Sequence, residues 1–173
     1  FTIFGTFIGS QLAPINGHSY IEFIVPGLVM MSIITSAYMN TVSTFYFAKF
    51  IKNIEELLVS PMPSWVIVAG FVAGGVTRAF LVGILVVLTS LFFTHLVIVN
   101  LFIIFAAAFL TALLFSFAGL VNGFYAKGFD AISIIHTFVL TPLTYLGAVF
   151  YSVSLLPEPF KTLSLFNPIL YMV

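Results

Sequence analysis

An all-α, polytopic bundle of membrane-spanning helices is the fold class that this 173-residue sequence predicts. Three observations carry that expectation. Hydrophobic residues make up 62% of the chain and charged ones 6%, with a mean hydropathy of +1.26. A soluble domain carries about a quarter charged residues, so this chain lacks the polar surface to cover a globule. Its apolar residues also fall in long runs matching the ~20 residues that a helix needs to cross a ~30 Å hydrocarbon core. Short polar stretches, rich in Pro, Gly and Asn, separate those runs. Net charge is zero with no basic patch, so nucleic-acid binding has no footing. The absence of cysteine excludes disulfides and thiolate metal sites.

In chain order, Phe1–Ser10 is apolar, but ten residues rise only ~15 Å, half a bilayer core. It reads as the tail of a truncated first span. Gln11–Glu22 is polar, with Pro14, Asn16-Gly17 and His18 marking a turn. Phe23–Ala48 is the first complete span, and Lys49–Ser64 is a polar bridge holding four of the ten charged residues. Trp65–Thr94 is ~45 Å of helix, longer than the core requires. Its first turns are expected along the interface, with a bend at Gly70, Gly74 or Gly75. Leu96–Val121 forms the next span after a short turn at His95, and Asn122–Asp130 is a second polar loop. Ala131–Tyr151 spans again, interrupted by Thr141-Pro142. Ser152–Phe160 breaks the chain, and the short apolar stretch Leu163–Val173 is divided by Asn167-Pro168. The whole chain is expected to be one domain, residues 1–173, incomplete at both ends. No internal repeat is visible.

Loop charges orient the spans. Lys49, Lys52 and Lys127 fall on one side and Lys161 on the other, so the loops at 49–64 and 122–130 are expected to face the cytoplasm.

Within the bridge, 100° per residue puts Ile51, Ile54, Leu57 and Leu58 on one arc of ~120°. Lys52, Asn53, Glu55, Glu56 and Ser60 take the opposite arc, with Val59 as the misfit. Asn53 and Glu56 resemble a capping box. Pro61 and Pro63 end the helix, since proline lacks a donor and pushes the preceding residue out of the α region. Periodicity leaves two readings open: a cytoplasmic helix pushed by a soluble partner, or a solvated loop linking two spans.

Arg78 is the sharpest intramembrane candidate, because ionisable groups at depth are costly and often functional. Counting ~25 Å of helix back from His95 places it near the inner edge of the core. From there its guanidinium can snorkel, which favours an interfacial anchor over a substrate-binding role. His95 reads as a solvated turn residue and His136 as a hydrogen-bonding partner between helices. Lys127 and Asp130 read as a surface pair. Gly70-x3-Gly74 and Gly119-x3-Gly123 are spacings that let helices approach closely. Catalysis has little to stand on, and no catalytic residue is assigned: Asp130 is the only Asp, and H-E-x-x-H and the phosphate-cradling G-x-x-x-x-G-K-[ST] are both absent. No metal or cofactor is expected.

Asn53-Ile-Glu-Glu-Leu-Leu-Val-Ser-Pro-Met-Pro63, between two spans and followed by a glycine-rich third, resembles the region after the second span of bacterial ABC-2 type permeases. Leu140-Thr-Pro-Leu143 within a span, followed by Leu163-Ser-Leu-Phe-Asn-Pro168, is similar to the distal part of that family, where short re-entrant helices precede a sixth span. The resemblance covers essentially the whole chain. It implies a six-helix protomer, here lacking the N-terminal amphipathic helix, most of the first span and the sixth. It also implies a permease homodimer in the bacterial inner membrane, working with two copies of an ATPase subunit. A coupling role passes to Asn53, Ile54, Glu55, Glu56, Leu57 and Leu58. A place in the translocation path or its gate passes to Thr141, Pro142, Asn167 and Pro168. The implied function is export of an amphiphilic, glycan, lipid or drug-like substrate; the alternative is a self-contained carrier or channel without an ATPase.

Overall fold

The computed structural model describes residues 20–93, 100–147, 164 and 167–172. Phe1–Ser10 and the turn before Ser19, His95, the Ser152–Phe160 break and Lys161 lie outside the described residues. Those described form helices and no strand: α1 (Tyr20–Phe50), α2 (Asn53–Val59), α3 (Ser64–Ser90), α4 (Leu101–Tyr125), α5 (Phe129–Ile135) and α6 (Thr141–Leu146). A π turn, His136–Leu140, joins α5 to α6, and a 3₁₀ turn covers Pro168–Tyr171. Four segments are long and apolar enough to cross a membrane: Ile24–Phe50, α3, α4 and Phe129–Leu146. The expected all-α bundle of membrane-length helices is what the described residues form.

α1 is the central helix, packed along both α3 and α4. Its buried column of Ile33, Ile34, Ala37, Tyr38, Thr41 and Val42 supplies much of the core. Lipid tails are as apolar as leucine, so helices associate in a bilayer through close packing and interhelical hydrogen bonds. The glycines show this. A Cβ at Gly119 would lie 2.6 Å from the Tyr38 carbonyl oxygen, and one at Gly83 would lie 2.9 Å from Ile33. At Gly75 it would collide with Thr41 Oγ1 and Ser116 Oγ.

Several expected boundaries move. α1 starts three residues earlier than expected and passes through Pro26 without interruption. α3 is likewise an unbroken helix through Gly70, Gly74 and Gly75, where Gly75 serves packing and Gly70 and Gly74 line a groove wall. α4 begins at Leu101 instead of Leu96, with Asn100 Oδ1 accepting from the Phe102 and Ile103 amides at 3.1 and 3.4 Å. It runs on to Tyr125, which shortens the second loop to Ala126–Gly128. Asn122 and Gly123 therefore belong to a helix. Asn122 tolerates burial there because its Nδ2 donates to the Tyr38 hydroxyl at 2.6 Å.

Candidate functional site

The bridge is built as a bracket on the end of α1. Phe47 and Lys49 carbonyls accept from the Ile51 and Lys52 amides, and Lys52 then turns left-handed at φ 61°. This is the only non-glycine residue of positive φ among those described. Such a conformation costs a side-chain-bearing residue roughly 1–2 kcal/mol, and it fixes the abrupt change of direction between α1 and α2. The turn also overrides the expected capping box. Lys52, with no side-chain cap bond, occupies the N-cap, while Asn53 is already the first helical residue. At the other end, Ser60 Oγ donates to the Leu57 carbonyl at 2.7 Å. Pro61–Pro63 then passes the chain to α3.

None of α2 is buried. Ile54 and Leu57 are half-covered, whereas Asn53, Glu55, Glu56 and Leu58 are exposed. Leu58 is 65% exposed, Val59 87% and Trp65 71%, so a strip of large apolar side chains adjoins the two carboxylates at the tip of the bracket. Of the apolar arc, Ile54 and Leu57 are half-covered, whereas Ile51 and Leu58 are exposed.

Lys49 ties the bracket to the bundle. Its Nζ donates to the Phe124 and Ala126 carbonyls at 2.7 and 3.1 Å, at the C-terminal end of α4. A cation there satisfies carbonyls that lack helical partners and opposes the helix dipole. The ends of α1 and α4 and the start of α5 thus lie together on the bridge side.

Above the bracket, α1, α2 and α3 line an open groove of about 350 Å³. Leu57 and Met62 floor it, Asn40 and Thr44 line the α1 side, and Val66, Gly70 and Gly74 line the α3 side. A Cβ at Gly70 would meet nothing within 4 Å. Arg78, one turn beyond Gly74, is exposed and donates from Nη1 to Asn40 Oδ1 at 3.1 Å. It lies fourteen residues after Ser64 and twelve before Ser90, midway along α3.

At the distal end, Pro142 carries no amide donor, and the chain before it relaxes into the π turn. Thr141 Oγ1 donates to the His136 carbonyl at 3.1 Å. Asn167 returns onto this segment: Nδ2 donates to the Leu143 carbonyl at 2.5 Å, while Oδ1 accepts from the Ile169 amide at 3.0 Å. Thr141-Pro142 and Asn167-Pro168 are thereby brought together, as a returning chain requires. The expected re-entrant helices before Asn167 lie largely outside the described residues. Sequence reasoning missed Asn40, Lys49 and the Tyr38–Asn122 bond, since a single polar residue in an apolar run does not name its partner. Among the described residues, no group of His, Asp or Glu has a geometry that holds a metal.

The family model for ABC-2 type transporters matches residues 1–173. Inner membrane transport permease YadH of Escherichia coli K12 is 57% identical over all of this chain and 68% of its own length. Nodulation protein J of Rhizobium leguminosarum bv. viciae is 27% identical over 98% of this chain and 66% of its own. No solved structure matches. With its four membrane-length helices, its bracket between the first two and a family match from end to end, the chain belongs to the ABC-2 type transporter family.

Proposed function

We propose that this chain is the membrane-embedded permease of an ATP-driven exporter in the bacterial inner membrane. It is a transport subunit and not itself an enzyme. It works as a homodimer with two copies of a separate ATPase, moving an amphiphilic, glycan, lipid or drug-like substrate outward. Asn53, Ile54, Glu55, Glu56, Leu57 and Leu58 dock in the ATPase as a coupling helix, with the loops at 49–64 and 122–130 in the cytoplasm. Thr141, Pro142, Asn167 and Pro168 belong to the path or its gate. The single observation that carries this reading is the uncovered state of α2, whose apolar tip and two carboxylates suit a partner's groove lined with basic groups. The name of the E. coli relative, a transport permease, supports it.

Its mechanism is a biased two-state switch. ATP binds more tightly to one arrangement of the motor pair, α2 moves with the motor, and the spans follow between inward- and outward-open forms. Purification of the full-length protein under mild conditions tests the reading: an ATP-hydrolysing subunit co-purifies. Transport by the protein reconstituted without any such subunit would instead establish a self-contained carrier.

A further inference from the structure

Serine and threonine hydroxyls inside an apolar helix ordinarily turn back onto the carbonyl three or four residues earlier. Ser32, Thr41, Thr77 and Ser90 all do so, onto Leu28, Ala37, Ala73 and Val87. Ser116 of α4 does not. It is wholly buried, and its Oγ has no hydrogen-bond partner. An unpaired hydroxyl in such a place is destabilising, because folding has stripped it of water without replacing the bond.

Ser116 Oγ lies against Gly75 of α3, and so does Thr41 Oγ1 of α1. A Cβ on Gly75 would stand 2.6 Å from Ser116 Oγ and 3.1 Å from the Ala37 carbonyl oxygen, and would collide with Thr41 Oγ1. Thr41 is wholly buried as well. Its hydroxyl donates to the Ala37 carbonyl at 3.0 Å and keeps lone pairs that can accept. An unused donor and a capable acceptor from two neighbouring helices thus crowd one bare glycine, with no bond between them.

α1 and α4 are tied elsewhere, by Lys49 at the bridge end and by the Tyr38–Asn122 bond. α3 meets them through glycine at Gly75, and again at Gly83 beside Ile33, so no α3 side chain interlocks at either point. Contacts of this kind let one helix slide on another by less than a side chain's width.

We propose that the Ser116 hydroxyl is a conformational counterweight: unpaired in the arrangement described here, it donates to Thr41 Oγ1 in a second arrangement, reached when α3 slips at Gly75. The unpaired group in one form and the bond gained in the other both bias the bundle toward leaving this form. Because α1 and α4 stay tied, the slip is a small adjustment inside a block that otherwise moves together. This rests on the two-state mechanism proposed above and names an element that sets its balance.

The experiment uses the full-length protein with any ATPase that co-purifies, in nanodiscs and an otherwise cysteine-free background. Ala73→Cys, exposed on α3 two residues before Gly75, carries a trifluoromethyl tag read by fluorine NMR. Wild type shows two resonances. Ser116→Ala moves their ratio roughly tenfold, the scale of one buried hydrogen bond, while Tm in detergent holds or rises. Thr41→Val moves the ratio the same way, and adding it to Ser116→Ala moves it no further, since each variant removes the same bond. An unchanged ratio in Ser116→Ala overturns the proposal, as does a single resonance in wild type with and without nucleotide. A clear fall in Tm would show that the hydroxyl is already paired in this form. Additive effects of the two variants would show that it does not meet Thr41, and either result also overturns the proposal. The ratio is read on the permease alone as well, so the lack of a co-purifying ATPase, which defeats the exporter reading, leaves this test intact.

Discussion

At the scale of single residues, the bundle depends on side chains that are missing or small. Gly119 sits under the Tyr38 carbonyl, and a methyl there has no room, because the obstacle is backbone. Gly119→Ala is expected to cost about 1–3 kcal/mol, the usual range for overpacking, and to lower the apparent Tm in detergent. Gly70→Ala, which meets open space, is expected to hold Tm or raise it slightly. The contrast tests the packing, since both substitutions gain the same helix propensity. Tyr38→Phe removes the acceptor of buried Asn122 and is expected to cost about 1–3 kcal/mol, the penalty of an unpaired buried group. Tyr38→Phe with Asn122→Leu should recover part of that loss. The sequence makes Gly119-x3-Gly123 legible as a close-approach spacing. It cannot say that Tyr38 and Val42 are what approaches, because spacing describes one helix face and contact needs two.

At the scale of elements, α2 is a short, uncovered helix held between α1 and α3. Glu55→Ala with Glu56→Ala is expected to lower substrate-stimulated ATPase activity severalfold, on the scale of lost interfacial charge pairs, while membrane insertion is unchanged. Normal coupling in that double variant would remove the docking assignment. Val59→Asp should act in the same direction, because this fully outward residue is an apolar anchor in the proposed contact. Much of this element is legible beforehand. The polar bridge, its helical period and the proline stop follow from residue types alone. The misfit Val59 lies on the outer side of α2, 87% exposed, where the proposed contact would use it as an anchor. The capping box is illegible for a physical reason. Asn53 can cap only if its own backbone is extended, and the left-handed turn at Lys52 has already begun the helix.

At the scale of the whole molecule, the lysine asymmetry and the fold agree on which loops share a side. Lys49 touches the end of α4, so the 49–64 bridge and the 126–128 loop emerge together. A cysteine replacing Lys52 is expected to react with an impermeant thiol reagent only from the cytoplasm, and one replacing Ser19 only from outside. The reverse pattern would invert the topology. Span number and order are legible from hydropathy because each run must satisfy its own backbone in lipid. Span ends are not: α4 overruns its expected end because Asn122, polar by type, finds a hydroxyl inside the bundle. The Lys49 contact also constrains how force travels. Its ammonium ties α1 to α4 at the end where the proposed coupling would act, so a load on α2 would reach both helices together. In that proposal α1, α3 and α4, which pack on one another, carry the stroke together relative to the Phe129–Leu146 arm. The joint expected to yield in that arm is the π turn ahead of Pro142, a residue with no amide to donate.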